Sequence, residues 1–137
     1  MTVIDESTTR PDLAVEPGPR VREARPTLEW IDVCSVDDLD VDRGAGALVD
    51  GEPVAIFRCS PWDELFAIGN VDPYSAASVL SRGIVGSIGH HRVVASPVFK
   101  NRFDLHTGRS IDDPAVTVAT YPIRSVRGRV QIATRAT

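Results

Sequence analysis

The sequence predicts a mainly β fold, a sandwich or barrel of antiparallel sheets with a short helix or two. From residue 28 onward, short segments of β-branched and aromatic residues are separated by Gly, Pro, Asp and Asn. Turn residues at intervals of about ten are typical of such folds. In addition, Asp50-Gly51 lies between two apolar segments, as in a tight hairpin. The length of 137 residues suits a single domain.

The N-terminal segment does not follow this pattern. Residues 1–26 contain four of the ten prolines and show almost no aliphatic periodicity. Such a segment cannot bury enough apolar surface to offset the entropy lost on ordering. We therefore predict a flexible, disordered arm over residues 1–26 and one folded domain over residues 27–137.

The first elements of the domain follow from local signals. Residues 29–34 are predicted to form a strand, and Ser35 can cap one short helical turn through its hydroxyl group. Residues 45–49 and 54–58 are predicted to pair around Asp50-Gly51, because this dipeptide accepts the positive φ angles of a tight turn.

The second strand of this hairpin is apolar on both faces. Successive side chains alternate across a strand. Val54 and Ile56 therefore point to one side, and Ala55 and Phe57 point to the other. We expect both faces to be partly covered.

The later elements are assigned in the same way. Residues 74–80 are predicted to form a short helix after Pro73. Thr107-Gly108 and Arg127-Gly128 mark turns. The remaining predicted strands cover residues 65–68, 92–95, 102–105, 116–119, 123–126 and 129–133.

Charge and hydropathy exclude several classes of function. The formal net charge is −4, and basic residues are scattered among acidic ones, so the chain lacks the positive face that binds nucleic acid. No apolar run approaches the roughly 20 residues of a membrane-spanning helix, and the first ten residues have no signal-peptide core. We expect a cytoplasmic protein with neither a nucleic acid nor a membrane as partner.

The residues that could carry chemistry lack the necessary spacing. Cys34 and Cys59 form no CxxC pair, and in a reducing compartment we expect buried or half-buried thiols. His90, His91 and His106 also lack a metal-ligand spacing, and we expect His90 and His91 to be solvated. No Ser-His-Asp arrangement, phosphate loop or paired-carboxylate motif is present. No catalytic residue and no metal site are therefore assigned.

Two loops give the most specific signal. One reads Gly-Asn-Val-Asp-Pro at residues 69–73; the other reads Ser-Pro-Val-Phe-Lys at residues 96–100 and is followed by Phe-Asp-Leu-His-Thr-Gly at 103–108. A Rieske domain binds its 2Fe–2S cluster through a C-x-H loop and a C-x-x-H loop, with two thiolates on one iron and two imidazoles on the other. Its second loop typically continues with F-D-L-x-T-G, which this chain resembles.

In this resemblance all four cluster ligands are replaced. Asn70 and Asp72 stand at the C-x-H positions, and Ser96 and Phe99 stand at the C-x-x-H positions. A hydroxyl, an amide and a phenyl ring cannot substitute for soft thiolates. The resemblance therefore implies a Rieske-like fold of the iron–sulfur-protein type with no cluster and no cofactor in this chain.

Among ligand-free Rieske-like proteins, the chain resembles the small subunits of assimilatory NAD(P)H-dependent nitrite reductases. That family implies an accessory subunit of a cytoplasmic oxidoreductase that reduces nitrite to ammonia in nitrate assimilation. FAD, sirohaem and an iron–sulfur cluster are then expected on the large subunit, which is the expected partner. The resemblance rests on VAIFR at 54–58, NVDPYSAASVLSRGIVG at 70–86, VVASPVFKNRFDLHTG at 93–108 and VTVATYPIR at 116–124.

Two other functions stay open at this point. One is a Rieske-type ferredoxin that carries electrons, which the fold favours and the missing ligands oppose. The other is a free-standing binding or regulatory module, because a fold does not fix a function.

The loops also supply a candidate partner interface. Phe99 either fills the volume left by a cluster, the interpretation we favour, or forms an exposed anchor. Arg82 can face a carboxylate of the large subunit or an internal acidic residue, and Trp62 can contact a partner or its own sheet. The candidate interface residues are Trp62, Asp72, Pro73, Tyr74, Arg82, Pro97, Phe99 and Lys100.

Overall fold

Antiparallel pairing between neighbouring segments organises the chain. The computed structural model describes residues 28–135, so the predicted arm of residues 1–26 lies outside the described residues. Residues 29–134 form one compact unit. The strands in the described part are β1 (Leu28–Ser35), β2 (Arg43–Val49), β3 (Glu52–Cys59), β4 (Glu64–Gly69), β5 (Ile84–Ile88), β6 (His91–Ala95), β7 (Arg102–Asp104), β8 (Ile123–Val126) and β9 (Arg129–Arg135).

The strands form three-stranded sheets. Over residues 28–135 their orders are β1-β9-β8, β2-β3-β4 and β5-β6-β7. Two 3₁₀ helices of one turn each, Val36–Asp38 and Leu80–Arg82, are the helical elements of this part of the chain. Among the described residues no helix is long and apolar enough to cross a membrane. The predicted mainly β class is confirmed.

The predicted hairpin joins β2 to β3. Its register ends at the pair Val49 and Glu52, and the two turn residues have φ angles of 53° at Asp50 and 79° at Gly51. Positive φ at both positions is what a two-residue hairpin turn needs for its twist to match that of the strands.

β3 lies at the centre of the domain, because both of its faces are buried. Ala55 and Phe57 pack in one core with Phe103. Val54 and Ile56 pack in a second core with residues of β9. Burying a large apolar side chain contributes roughly 1.5–3 kcal/mol, so β3 anchors both neighbouring sheets, and its coverage is more complete than the sequence predicted.

The start of the domain also follows the prediction. The backbone N–H of Asp37 donates to Ser35 Oγ at 3.2 Å, and the N–H of Ser35 donates to Asp38 Oδ2 at 3.0 Å. This reciprocal capping box defines the first 3₁₀ helix. Cys34 is half-buried and Cys59 is buried, as expected for free thiols.

The predicted helix over residues 74–80 is wrong. Asp72 Oδ1 accepts a hydrogen bond from the N–H of Tyr74 at 2.8 Å, and this local side-chain bond competes with helical geometry. Ala76 then adopts a φ of 62°, which ends the turn. Within residues 74–83, only Leu80–Arg82 are helical.

Two strand assignments also differ. Residues 116–119 form no strand; Thr117 makes a single bridge to Arg109, and Thr120 makes one to Ile68. This segment lies between β4 and the loop that contains Arg109, and it forms a continuous ladder with neither. Conversely, β5 was not predicted; it pairs with β6 from Ile84 opposite Ala95 to Ile88 opposite His91.

Candidate functional site: the two loops at former cluster-ligand positions

Two loops meet at one end of the domain. The first loop, residues 70–83, follows β4; the second loop, residues 96–101, follows β6. We call these two loops together the tip. Ser96 Oγ donates a hydrogen bond of 2.6 Å to Asp72 Oδ2. Two former ligand positions on different loops are thus in direct contact.

Asp72 is an internal residue. Its side chain is completely buried, and its two carboxylate oxygens accept from the Tyr74 N–H and from Ser96 Oγ. Burying a carboxylate is tolerated only when hydrogen bonds replace its water. The expectation that Asp72 contacts a partner is therefore wrong for its side chain, which instead holds the turn of the first loop.

Asn70 closes the first loop on itself. Its Oδ1 accepts from the Ser81 N–H at 2.7 Å, and its Nδ2 donates to Ser78 Oγ at 3.2 Å. The backbone N–H of Asn70 donates to the carbonyl of Pro53 at 3.0 Å. The side chain is only 7% exposed. Because an amide side chain has both a donor and an acceptor, Asn70 can bind the Ser81 N–H and the Ser78 hydroxyl at the same time.

β2 approaches the first loop through glycine. A Cβ built on Gly44 would lie 2.4 Å from the Ser81 carbonyl oxygen and 2.7 Å from Phe57. A Cβ on Gly46 would lie 3.3 Å from Ser81 Oγ. Gly44 thus permits a contact that any side chain would prevent. Sequence reasoning missed this role. The signal that could have found it is the occurrence of glycines in and beside a predicted strand, because such glycines often mark the close approach of another backbone.

The second loop is held mainly by its own backbone. Ser96 is buried; its N–H donates to the Asn101 carbonyl at 2.9 Å, and its carbonyl accepts from the Lys100 N–H at 3.1 Å. The φ of Lys100 is 64°, which closes the tight turn. The turn leaves Phe99 on the outside, 63% exposed.

The favoured interpretation of Phe99 as a filler of the cluster volume is therefore wrong. The direct bond between Asp72 and Ser96 already joins the loops at the positions between which a cluster would lie. No room is left between these two side chains for a phenyl ring, and the ring faces solvent. Phe99 has the exposure of an anchor residue.

The other candidate interface residues are divided between two places. Pro73, Arg82, Pro97 and Lys100 are exposed at the tip. Tyr74 instead packs inward: its hydroxyl lies 3.0 Å from Ser110 Oγ, and its ring contacts the core.

Trp62 lies elsewhere. It is 83% exposed and occupies the turn between β3 and β4, so it does not pack on its own sheet. β3 is close to the tip at Pro53 and reaches this turn at Cys59, about 20 Å away for an extended strand. Trp62 therefore lies away from the start of the first loop at Asn70.

The donor set does not fit an iron–sulfur cluster. The four positions offer an amide, a carboxylate, a hydroxyl and a phenyl ring, whereas a Rieske cluster needs two thiolates and two imidazoles. Cys34 and Cys59 lie on β1 and β3, away from both loops, and burial raises the pKa of Cys59 to about 11. In the part of the chain that the structure describes, no group of three His, Cys, Asp or Glu side chains could hold a metal ion.

Two of the histidines contact carboxylates outside the two loops. His91 Nδ1 lies 2.8 Å from Asp104 Oδ2, and His106 Nε2 lies 3.3 Å from Glu64 Oε2. Asp104 also accepts from the N–H of His106 at 2.7 Å, which organises the turn after β7. His90 and His91 are exposed, as expected, although His91 is paired.

Comparison with known proteins agrees with this geometry. Residues 29–133 match the family described as the Rieske-like [2Fe-2S] domain. The chain is 41% identical over 104 residues to the nitrite reductase (NADH) small subunit of Escherichia coli K12, covering 76% of this chain and 96% of that protein. The chain belongs to the nitrite reductase small-subunit family of Rieske-like domains.

Two further similarities concern structure and context. The crystal structure of a Mycobacterium tuberculosis protein assigned as an NADH-dependent nitrite reductase small subunit superposes with a TM-score of 0.77 at 44% identity, covering 81% of this chain and 99% of that chain. The Klebsiella oxytoca nitrite reductase large subunit is 32% identical over 133 residues, which are 93% of this chain and 14% of that protein. In that protein a related segment is part of the large subunit.

Proposed function

We propose that this chain is the accessory small subunit of a cytoplasmic NAD(P)H-dependent nitrite reductase of nitrate assimilation. It holds no cluster, docks on the large subunit and supports nitrite reduction there. FAD, sirohaem and an iron–sulfur cluster belong to the large subunit, which transfers electrons from NAD(P)H to nitrite and forms ammonia.

The observation that carries this proposal is the buried hydrogen bond between Asp72 and Ser96. In a cluster-binding domain these two positions would be joined through metal. Here they are joined through a carboxylate and a hydroxyl, so the loops keep a defined arrangement that needs no iron. A domain that retains its loop structure without redox chemistry is suited to contact rather than to electron transfer.

The relationship to a large subunit supports the choice of partner. When a related segment belongs to the same polypeptide in Klebsiella oxytoca, the two units are held together covalently. We infer that this chain makes the same association as a separate subunit. The proposal requires no nucleic acid and no membrane.

Iron analysis tests the absence of a cluster. The chain is expressed alone, purified without oxygen and reconstituted with iron and sulfide, in parallel with a Rieske ferredoxin as positive control. We expect no charge-transfer bands in the visible spectrum and far less than one iron per chain. Stoichiometric iron would overturn the proposal in favour of an electron carrier.

Co-purification tests the accessory role. The full chain and its large subunit are expressed together at physiological salt, and nitrite-dependent NAD(P)H oxidation is measured with and without this chain. We expect a complex, and we expect lower activity or poorer recovery of the large subunit when this chain is omitted. No complex and unchanged nitrite reduction would instead favour a free-standing regulatory module.

A further inference from the structure

We propose that the docking surface extends beyond the two loops onto β2 and β5, and that it binds an apolar area of the large subunit bordered by carboxylates. This inference rests on the proposed function and specifies the surface used. We define the apolar tip surface as Leu48, Val71, Ile84, Val98 and Phe99.

These five side chains are unusually exposed for their type. Leu48 is 77% exposed, Ile84 is 73% exposed and Phe99 is 63% exposed, while Val71 and Val98 are each about two-fifths exposed. Single exposed apolar side chains are common and need no explanation. Several at one end of a small domain indicate a contact site.

Strand register places Leu48 at the tip. It pairs with Pro53 at the start of β3, and the Pro53 carbonyl accepts from the N–H of Asn70, the first residue of the first loop. Leu48 alternates with the buried Val49. Its side chain therefore lies on the β2 face that carries Gly44 and Gly46, the face that the first loop covers.

Register also places Ile84 at the tip. It pairs with Ala95, the residue immediately before Ser96 and the second loop. Ile84 directly follows the first loop, and Gly83, the last residue of that loop, lies against the Ala95 carbonyl. Leu48 and Ile84 thus flank the loops that carry Val71, Val98 and Phe99.

The base of this surface is fixed before any partner binds. The hydrogen bond between Asp72 and Ser96 joins the loops, and the bonds of Asn70 join the first loop to β3 and to the 3₁₀ helix. A preorganised surface loses less conformational entropy on binding than a flexible one. The internal polar residues therefore hold the external apolar ones in place.

The charges of the loops select the partner. The charged residues of the two loops are Asp72, Arg82 and Lys100; the first is buried and the two cations are exposed. The chain as a whole has a net charge of −4, whereas the exposed charged side chains of the two loops are both positive. If a second copy of the chain bound here through the same surface, Arg82 and Lys100 of the two copies would repel each other. A partner with carboxylates around an apolar area complements the surface, and the large subunit is the partner that the family and the Klebsiella protein supply.

Exposed apolar residues at the far end provide a control. Trp62 is 83% exposed in the turn after β3, and Val41 bridges to Arg58 near the same end. Because β3 separates this turn from the Asn70 end of the first loop by about 20 Å, we expect a contact centred on that end to leave Trp62 free.

Binding measurements with paired variants test the surface. The full chain is titrated with its large subunit as wild type, as the double variant Leu48→Ser/Ile84→Ser, and as Trp62→Ser. We expect at least about a tenfold loss of affinity for the double variant, because truncating central apolar contacts is costly, and less than about a twofold change for Trp62→Ser. Wild-type affinity in the double variant would overturn the inference. Failure of the wild type to bind would instead overturn the proposed function.

A charge-reversal variant keeps the test independent of folding. Arg82→Glu/Lys100→Glu leaves the five apolar side chains intact and should slow association by about tenfold at low salt, with a smaller effect at high salt. No change in association rate would contradict the acidic border. Sedimentation of the chain alone should show a monomer; a dimer abolished by Leu48→Ser/Ile84→Ser would overturn the choice of partner.

Discussion

The two loops of the tip differ in what holds them. In the first loop, Asn70 and Asp72 turn polar side chains inward and bind backbone N–H groups of their own loop. In the second loop the buried side chain is that of Ser96, whose Oγ accepts from the Val98 N–H at 3.3 Å, and the exposed turn from Pro97 to Lys100 is otherwise closed by backbone hydrogen bonds. The difference indicates that the first loop serves mainly stability and the second loop mainly contact. Variants in each loop can test this division.

The largest effect is expected for Asp72→Ala. It removes the acceptor of Ser96 Oγ and of the Tyr74 N–H in a site with no solvent access. Two buried donors without partners should lower the free energy of unfolding by about 3 kcal/mol in urea denaturation. Asp72→Asn keeps the volume and one acceptor, so it should cost about 1 kcal/mol. Equal stability of Asp72→Ala and wild type would show that the contact is unimportant.

Gly44→Ala should have the next largest effect on the first loop. The added Cβ would overlap the Ser81 carbonyl and Phe57, so either β2 or the loop must shift, at a cost of about 2 kcal/mol. Gly46→Ala is the matched control, because its nearest contact at 3.3 Å is a serine hydroxyl. Thermal unfolding of both variants should separate them by several degrees, and equal melting temperatures would argue against close packing at Gly44.

Ser96→Ala should cost less, about 1.5 kcal/mol, because Asp72 keeps its bond to the Tyr74 N–H. Combined with Asp72→Ala it forms a double-mutant cycle. The two changes should be non-additive by about 1 kcal/mol, because they remove the same bond. Strict additivity of the unfolding free energies would mean that the two loops are stabilised separately.

The smallest effect on stability is expected for Phe99→Ala. Its ring is 63% exposed, so the free energy of unfolding should change by less than about 0.5 kcal/mol. Affinity for the large subunit should nevertheless fall, whereas Trp62→Ala should leave both quantities unchanged. A large loss of stability with unchanged binding would reverse the roles given to the two loops.

Much of the framework could be predicted because its causes are local. Asp50-Gly51 defines the hairpin through the φ angles it permits, and Ser35 caps the 3₁₀ helix through an atom two residues away. Alternation along β3 assigned Val54 and Phe57 to opposite faces, as observed. The family resemblance was read from the two loop motifs, and the comparisons confirm it.

The failed assignments lie where specific contacts, local or distant, override the propensity of a segment. The segment after Pro73 has the composition of a short helix, yet the Asp72 carboxylate binds the Tyr74 N–H and redirects it. Residues 116–119 include β-branched side chains, but the loop at Arg109 and the end of β4 beside them offer single bridges instead of a ladder. Propensity describes a segment alone and does not describe its neighbours.

The sequence by itself determined which side chains stand at the four positions that the resemblance assigns to cluster ligands; the tertiary structure decided which way each of them faces. Asp72 and Ser96 are distant in sequence and meet because the loop after β4 contacts the loop after β6. Phe99, three residues after Ser96, lies outside because a tight turn separates them. Burial in loops is decided by long-range packing, because loops lack the alternation that assigned the two faces of β3. The exposure of Leu48 and Ile84, and with it the apolar tip surface, is known for the same reason only from the fold.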